Sequence, residues 1–221
     1  MNLKNKIAFV TGGSRGIGKA IALTLAHNGA KVTLTYLKEK EKAEQVVEAI
    51  QKRGGQAICL PLDVRDRASV KQALHRAHQH WQGLDILINN AGINKPTDFD
   101  HITTEDWDLI MQVNLRGPFI CCQEALPYLI KQGGGTIINI GSVSGQYGGP
   151  RTAHYAASKA GLISLTQVVA RFAAKYNIRC NVISPGLIQS EMASEGLQSS
   201  AVNKMSENIL LGRLGTPEEV A

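Results

Sequence analysis

Apolar and polar positions follow two recurring periods along the chain. Short apolar runs, typical of buried strands, alternate with stretches in which apolar residues return every three or four positions, as on one helix face. The runs predict strands near residues 7–11, 31–36, 56–60, 84–88, 136–140 and 178–184. The intervening spacing predicts helices that begin near residues 17, 38, 66, 103, 118 and 152. This alternation predicts an α/β fold, a doubly wound parallel sheet covered by helices on both faces.

Length and composition favour one domain over residues 1–221. A chain of 221 residues builds one core and is short for two. We find no repeat, no linker, no apolar run near the roughly 20 residues of a membrane span and no signal-peptide pattern at the start. The four cysteines lack metal-ligand spacing. We therefore expect a cytoplasmic protein that does not bind membranes and holds no metal. The histidines at 75, 78 and 80 lack a carboxylate or cysteine to complete a site.

The charge balance is basic but diffuse. The formal net charge is +6 and the pI is about 9.2. Lys and Arg are scattered, and aromatic residues do not interleave with them as they do in nucleic-acid-binding surfaces. We expect no nucleic-acid partner. The basic balance suits an anionic cofactor or an acidic carrier.

A glycine-rich turn follows the first predicted strand and opens the first predicted helix. It reads T-G-G-S-R-G-I-G over residues 11–18. A strand, a glycine turn and a helix N-terminus present free backbone N–H groups to a phosphate, and glycines let a pyrophosphate approach the backbone. The spacing T-G-x-x-x-G-x-G differs from the G-x-G-x-x-G dinucleotide fingerprint. The turn alone therefore leaves a purely structural role open.

Polar and glycine residues recur after the other predicted strands. They lie at 36–38, 63–64, 89–92, 141–142 and 185–186. The carboxyl ends of parallel strands share one edge of a sheet, where ligands of doubly wound folds bind. We expect these positions to surround one site.

Tyr155 and Lys159 are four residues apart in a predicted helix and share one face. A tyrosine phenol has a pKa near 10, and a neighbouring cation favours its phenolate and lowers that pKa. Tyr155 would then serve as a general acid or base, and Ser142 could bind the same substrate oxygen. A solvated surface pair is the alternative for such a spacing taken alone.

Taken together, these motifs resemble the short-chain dehydrogenase/reductase family over essentially the whole chain. The matching residues are Thr11-Gly12-x-x-x-Gly16-x-Gly18, Asp63, Asn89-Asn90-Ala91-Gly92, Asn114, Ser142, Tyr155-x-x-x-Lys159 and Pro185-Gly186. The resemblance implies a Rossmann-type oxidoreductase that uses a nicotinamide cofactor.

The resemblance also implies a role for each matching residue. Tyr155 would transfer the proton, Ser142 would position the carbonyl, and Lys159 would bind the nicotinamide ribose and lower the tyrosine pKa. Asn114 would hold a water that relays protons to Lys159. The residues expected around the cofactor are Gly12, Ser14, Arg15, Gly16, Ile17, Gly18, Tyr36, Lys38, Asp63, Val64, Asn90, Ala91, Gly92, Tyr155, Lys159, Pro185, Gly186 and Ile188.

The second strand indicates which nicotinamide cofactor is used. An NAD-selective site usually places an acidic residue at the end of this strand to bind the ribose 2′-OH. Here Tyr36 holds that position, Lys38 follows, and Arg15 lies in the glycine turn. A guanidinium and an ammonium suit a 2′-phosphate. We expect NADP(H).

The substrate is less clearly indicated. The chain is similar to bacterial 3-oxoacyl-acyl-carrier-protein reductases of fatty acid biosynthesis, which implies a ketone on a small molecule or an acyl carrier. Residues 93–98, Ile-Asn-Lys-Pro-Thr-Asp, depart from the Thr-Arg-Asp usual there. A sugar, polyol or other small-ketone reductase therefore stays open as an alternative, as does a catalytically idle dinucleotide-binding protein.

Two expectations concern the last part of the chain. Residues 187–211 are polar with spaced Leu and Met, and we expect them to form a mobile substrate lid. Residues 215–221 open a helix, but the family's last helix and edge strand are not in the sequence. We expect a homodimer or homotetramer, with the helices from 118 and 152 forming one interface and strand 178–184 left at a sheet edge.

Overall fold

All six predicted strands form, and they pair in parallel within one sheet. The computed structural model describes residues 2–189 and 209–221. The strands are β1 (Ile7–Val10), β2 (Lys31–Tyr36), β3 (Gln56–Pro61), β4 (Ile86–Asn89), β5 (Gly135–Ile140) and β6 (Ile178–Ile183). Their order across the sheet is β3-β2-β1-β4-β5-β6. The chain moves outward from β1 in one direction and from β4 in the other, so the switch point lies between these two strands.

Helices cover both faces of the sheet and bury two apolar cores. The helices are α1 (Gly16–His27), α2 (Lys40–Lys52), α3 (Arg67–Trp81), α4 (Thr104–Met111), α5 (Gly117–Lys131), α6 (Ser144–Tyr147), α7 (Ala153–Ala173) and α8 (Pro217–Val220). One core packs α1 and α2 on the sheet around Val32, Leu34 and Ile50. The other packs α3, α5 and α7 around Phe9, Leu87 and Ile137. Both cores are continuous with the central strands, which confirms the predicted doubly wound, single-domain fold.

An edge strand of the sheet has one neighbouring strand instead of two, so fewer of its backbone groups need a hydrogen-bonding partner in the sheet. β3 extends one residue beyond the predicted strand 56–60, because Pro61 is its last residue and is paired with Tyr36. β3 is an edge strand, so the missing N–H of the proline removes no ladder hydrogen bond. In the part of the chain that the structure describes, β6 forms the other edge, as expected.

The helices predicted from residues 103 and 118 are one continuous helical run. A π-helical turn, Gln112–Arg116, joins α4 directly to α5. Pro118 has no N–H to give the carbonyl of Asn114, four residues earlier, and the wider turn absorbs this break in the α-helical pattern. The helix start predicted near residue 118 is therefore an irregularity inside a longer helical run, and Asn114 lies in the π-helical turn.

The last described segment packs back onto the sheet layer. Gly215 pairs with Ile188 in an isolated parallel bridge, and α8 contacts α1. The helix expected at residues 215–221 begins with a capping box, in which Thr216 accepts a hydrogen bond from the Glu219 N–H while the Glu219 carboxylate accepts one from the Thr216 N–H. Most of the predicted lid, residues 190–208, lies outside the described residues. None of the described helices is long and apolar enough to cross a membrane.

Candidate active site

A cavity of about 760 Å³ lies at the carboxyl ends of the strands, over the switch point. Every residue expected around the cofactor lines it, together with Ser142. The glycine turn, the ends of β2 and β3, the Asn-Ala-Gly segment after β4 and the start of α7 all contribute to its wall. Motifs from Gly12 to Ile188 therefore meet in one place.

The conformation of the glycine turn is fixed by its own backbone and by hydrogen bonds from the segment that follows β4. Gly12 has φ +64°, a conformation that side chains disfavour. The Asn90 side-chain amide donates to the carbonyl oxygens of Thr11 (3.0 Å) and Gly12 (2.8 Å). A Cβ on Gly18 would overlap both the Gly12 oxygen and the Asn90 amide nitrogen. The turn thus keeps the close backbone approach that a pyrophosphate needs.

Thr11 was expected only as part of the motif, yet it joins the ends of β1 and β4. Its buried hydroxyl accepts hydrogen bonds from the backbone N–H groups of Asn90 and Ala91, both at 3.0 Å. The Thr11 N–H donates to the Ile88 carbonyl at 3.0 Å. These contacts hold the two strand ends on either side of the switch point in a fixed register.

The far end of the cavity carries several charged groups. Arg15 and Lys38 line it beside Tyr36, and both cations are exposed. Asp63 accepts three hydrogen bonds from the Arg65 guanidinium at 2.6 to 3.1 Å, which lower the pKa of its carboxyl. Arg65 also lines the cavity and was missed from the sequence, because nothing local shows that its side chain folds back onto Asp63.

Ser142, Tyr155 and Lys159 meet at the other end of the cavity. Ser142 follows β5, and its hydroxyl accepts a hydrogen bond from the Ser144 N–H at 3.1 Å. The Lys159 ammonium lies 5.6 Å from the centre of the Tyr155 ring and donates to the Ile140 carbonyl at 2.7 Å. Lys159 is 5% exposed, so the alternative of a solvated surface pair is excluded.

The sequence predicts that Lys159 lowers the pKa of Tyr155, and this prediction is wrong for the protein without a ligand. Burial raises the pKa of this phenol above its usual value, and the nearby Ser142 hydroxyl acts weakly in the opposite direction. Burial also lowers the pKa of Lys159 to about 8. Desolvation penalises each charged form, and it is the largest cause of both pKa changes. At neutral pH Tyr155 is therefore protonated and able to donate.

Asn114 is the one expected catalytic residue outside the cavity wall. It is fully buried in the π-helical turn, behind the wall. Its side-chain oxygen accepts from the Ile93 N–H at 2.9 Å, and its amide donates to the Ile93 carbonyl at 2.8 Å and to the Ser158 hydroxyl at 3.2 Å. Asn114 thus links the loop after β4 to α7.

A short segment at this link adds Ile93, Asn94 and Pro96 to the cavity wall; we name residues 93–98 the strap. Lys95 pairs with Asp106 of α4 at 2.6 Å. Asp98 accepts a hydrogen bond from Arg151 at 2.9 Å, and the Thr97 N–H donates to the Arg151 carbonyl at 2.8 Å. The strap is therefore fastened both to α4 and to the loop that precedes α7.

Histidines lie apart from this chemistry. His78 packs on Tyr128 and His80 on Trp81, and the described residues contain no group of three or more His, Cys, Asp or Glu placed to hold a metal ion. His154, next to Tyr155, is fully buried but does not line the cavity.

The fold and the cavity define a dinucleotide-binding oxidoreductase. The glycine turn lies at the switch point of a doubly wound sheet, and a serine, a tyrosine and a lysine lie together in the same cavity. Comparison with known proteins agrees, because the model of the short chain dehydrogenase family matches residues 6–200. The chain belongs to the short-chain dehydrogenase family.

Similar proteins and structures span nearly the whole chain. A 3-oxoacyl-[acyl-carrier-protein] reductase FabG of Thermotoga maritima is 40% identical over 221 residues, which is 100% of this chain and 89% of that protein. FabG of Staphylococcus aureus is 40% identical over 216 residues, 98% of this chain and 87% of that protein. A Burkholderia cenocepacia short chain dehydrogenase in complex with NADP superposes with a TM-score of 0.93, at 36% identity, over 100% of this chain and 89% of the other.

Proposed function

We propose that the protein is an NADP(H)-dependent reductase that converts a ketone to a secondary alcohol, with a 3-oxoacyl thioester as its substrate. The observation that carries this proposal is the meeting of Ser142, Tyr155 and Lys159 in the cavity that the glycine turn opens. The similarity to FabG proteins supports the thioester. An acyl group on a small thiol or on an acyl carrier would both present the same 3-oxo group.

The residues at the far end of the cavity fit NADP(H). Gly12 and Gly18 keep a cradle open at the backbone that side chains would fill. No acidic residue holds the end of β2, where Tyr36 stands, and Arg15 and Lys38 offer cations to a 2′-phosphate. The NADP-bound structure from Burkholderia cenocepacia supports the same choice.

In the proposed mechanism, the bound cofactor supplies the hydride to the carbonyl carbon. The Ser142 hydroxyl donates a hydrogen bond to the substrate oxygen and positions it. Tyr155, protonated at neutral pH, gives its proton to the same oxygen as negative charge develops there. The Lys159 cation stabilises the phenolate that remains, and Asn114 keeps the strap and α7 in place around these groups.

Turnover of a model thioester tests this proposal. The protein should oxidise NADPH in the presence of 3-oxobutanoyl-N-acetylcysteamine, and Tyr155→Phe should lower kcat by about 10²-fold or more because proton transfer is lost. NADPH affinity should stay within about twofold, since only a hydroxyl is removed. Tyr176→Phe, outside the cavity wall, is the control. A protein that binds NADPH but turns over no ketone would be the idle alternative, and unchanged kcat in Tyr155→Phe would remove that residue from the mechanism.

We also propose that the protein acts as a homo-oligomer. Apolar side chains on α5 and α7 are left partly exposed, among them Phe119 (40%), Val168 (56%) and Phe172 (53%). Exposed apolar groups on neighbouring helices are typical of interfaces between copies. Light scattering distinguishes a dimer or tetramer from a monomer, which would contradict the proposal.

A further inference from the structure

The charged end of the cavity holds an aspartate whose hydrogen bonding is already complete within the protein. The two carboxylate oxygens of Asp63 accept four hydrogen bonds from Arg65: one from its backbone N–H at 2.9 Å, two from Nε at 2.9 and 3.1 Å, and one from Nη2 at 2.6 Å. A carboxylate offers about four lone-pair sites. Arg65 therefore occupies the acceptor capacity of Asp63, while its own Nη1 donates to no group in the described part of the chain.

This pair is fixed beside the end of β2. The Leu62 N–H donates to the carbonyl of Tyr36, the last residue of β2, at 2.8 Å. The Asp63 N–H donates to the hydroxyl of Ser69 in α3 at 3.0 Å. The turn between β3 and α3 is thus held from both sides, and the pair has a defined position on the cavity wall.

The base of a bound dinucleotide is expected at this position. The pyrophosphate of a dinucleotide lies at the glycine turn after β1, and its ribose lies at the end of β2. Because β1, β2 and β3 follow one another toward this edge of the sheet, the base continues toward the end of β3. Both side chains line the cavity and stay accessible, with 38% of Arg65 and 26% of Asp63 exposed. A ligand can therefore reach the guanidinium.

The pairing changes the kind of base edge that the site can bind. An ionised aspartate without a partner would accept a hydrogen bond from an exocyclic amine, such as the 6-amino group of adenine. Arg65 takes up that acceptor and offers the N–H groups of Nη1 instead, and a guanidinium has no acceptor of its own. The site thus binds acceptors of the base, a ring nitrogen or a 6-oxo group, rather than an amine.

We propose that Arg65 is a specificity residue of the cofactor site, which donates a hydrogen bond to the base and keeps Asp63 from accepting one from a 6-amino group. The inference rests on the proposed NADP(H) cofactor. The site then also binds a base with a 6-oxo group in place of the amine, which a free carboxylate would repel.

Two cofactors that differ only in the base test the proposal. NADPH has the 6-amino group of adenine, and reduced nicotinamide hypoxanthine dinucleotide phosphate has a 6-oxo group at the same position. In titration calorimetry with the wild type, we expect the Kd of the hypoxanthine cofactor to be no more than about threefold above that of NADPH. In Arg65→Ala this ratio should rise to about ten or more, since the released Asp63 carboxylate accepts from the amine and repels the oxo group.

The ratio of the two dissociation constants separates this role from a general effect of charge. Both cofactors have the same charge, so the loss of a cation or of order in the turn weakens both and leaves the ratio unchanged. Arg67→Ala is the matched control, because Arg67 pairs with Glu124 and lies outside the cavity wall. It should keep the wild-type ratio. Arg65→Ala combined with Asp63→Ala should lose the preference for NADPH, because no carboxylate remains to accept from the amine.

Three results would overturn the proposal: an unchanged ratio in Arg65→Ala, a wild type that already prefers NADPH about tenfold, or a preference for NADPH that survives in the double variant. If the wild type bound neither cofactor, the proposed NADP(H) dependence would fail together with it. Binding is measured without a ketone. Failure to reduce any 3-oxo ester would therefore contradict the proposed function, while the ratio would still decide the role of Arg65.

Discussion

The two ends of the cavity are built by different means. At the cofactor end, backbone groups dominate: a glycine turn, two parallel strand ends and the Thr11 and Asn90 hydrogen bonds between them. At the substrate end, the strap is fastened by exposed ion pairs between side chains, Lys95 with Asp106 and Asp98 with Arg151. The first end is held by buried backbone geometry that tolerates little change. The second end is anchored by the Ile93–Asn114 hydrogen bonds, but the outer part of the strap is held in addition by side-chain pairs that can be replaced one at a time. A cofactor site of this kind can be kept while the substrate changes.

Gly18→Ala should have the largest effect on cofactor binding at this end of the cavity. The added Cβ would overlap the Gly12 oxygen and the Asn90 amide, so the turn must open to accept it. We expect NADPH affinity to fall about tenfold or more, because the close approach of the backbone to the pyrophosphate is lost. Titration of NADPH binding measures this.

Gly54→Ala is the matched control for that substitution. Gly54 differs from Gly18 in having a positive φ, +79°, but a Cβ there meets nothing within 4 Å, and Gly54 lies outside the cavity wall. It should lower the free energy of unfolding by about 1 kcal/mol through backbone strain and leave NADPH affinity unchanged. If Gly18→Ala bound NADPH like the wild type, the turn would not need its glycine for the cofactor.

The charged rim of the cofactor end should set the preference between cofactors. Arg15→Ala should weaken NADPH binding about tenfold and leave NADH binding nearly unchanged, because a charge-assisted hydrogen bond to the 2′-phosphate is removed. Lys19→Ala removes another exposed cation from α1, outside the cavity wall, and controls for the long-range field. Equal losses for both cofactors, or tighter binding of NADH by the wild type, would contradict the assignment of NADP(H).

The two ends of the cavity also differ in how much of each could be predicted from the sequence. The strands, the glycine turn and the Tyr155–Lys159 spacing are local patterns, and the predicted cofactor residues all lie on one cavity. The π-helical turn at Asn114 and the direction of the Arg65 side chain are set by neighbouring residues, but no regular sequence period indicates them. The contact between Asp98 of the strap and Arg151 joins residues that are 53 positions apart in the chain. The direction of the Tyr155 pKa was predicted wrongly because spacing shows a neighbouring charge but not the depth of burial.

Lys159 is expected to contact both the cofactor and Tyr155. Loss of its proton should therefore change both the activity and the stability as the pH rises. Its pKa of about 8 means that the cation is lost as pH rises through 8. The rate of reduction should fall over this range, to about one tenth at pH 9, because the phenolate of Tyr155 is no longer stabilised. A flat profile of kcat/KM from pH 7 to about 9.5 would contradict this role.

The stability effect of Lys159 has the opposite sign. In the unfolded chain a lysine keeps its proton up to about pH 10.4, so between 8 and 10.4 the unfolded state binds more protons than the folded one. The cost of burying the cation is thus present below pH 8 and disappears as pH rises through this window. Denaturant titrations should show Lys159→Met more stable than the wild type at pH 7, with the difference shrinking toward about pH 10. A difference that is constant with pH would show that Lys159 is not buried as a cation.

The smallest expected effect is at the substrate end, where one fastening of the strap can be removed. Asp98→Asn weakens the pair with Arg151, whose side chains are 49% exposed for Arg151 and 56% for Asp98. Exposed pairs contribute about 0–1 kcal/mol, so KM for the ketone should rise no more than about fivefold. NADPH affinity should not change, because the hydrogen bonds between the Thr11 hydroxyl and the loop after β4 stay intact. Glu48→Gln, which removes an exposed pair with Lys52 on α2, is the control and should change neither constant. Steady-state kinetics and NADPH titration on the same preparations decide the matter: a loss of NADPH affinity in Asp98→Asn would show that the two ends are coupled rather than built independently.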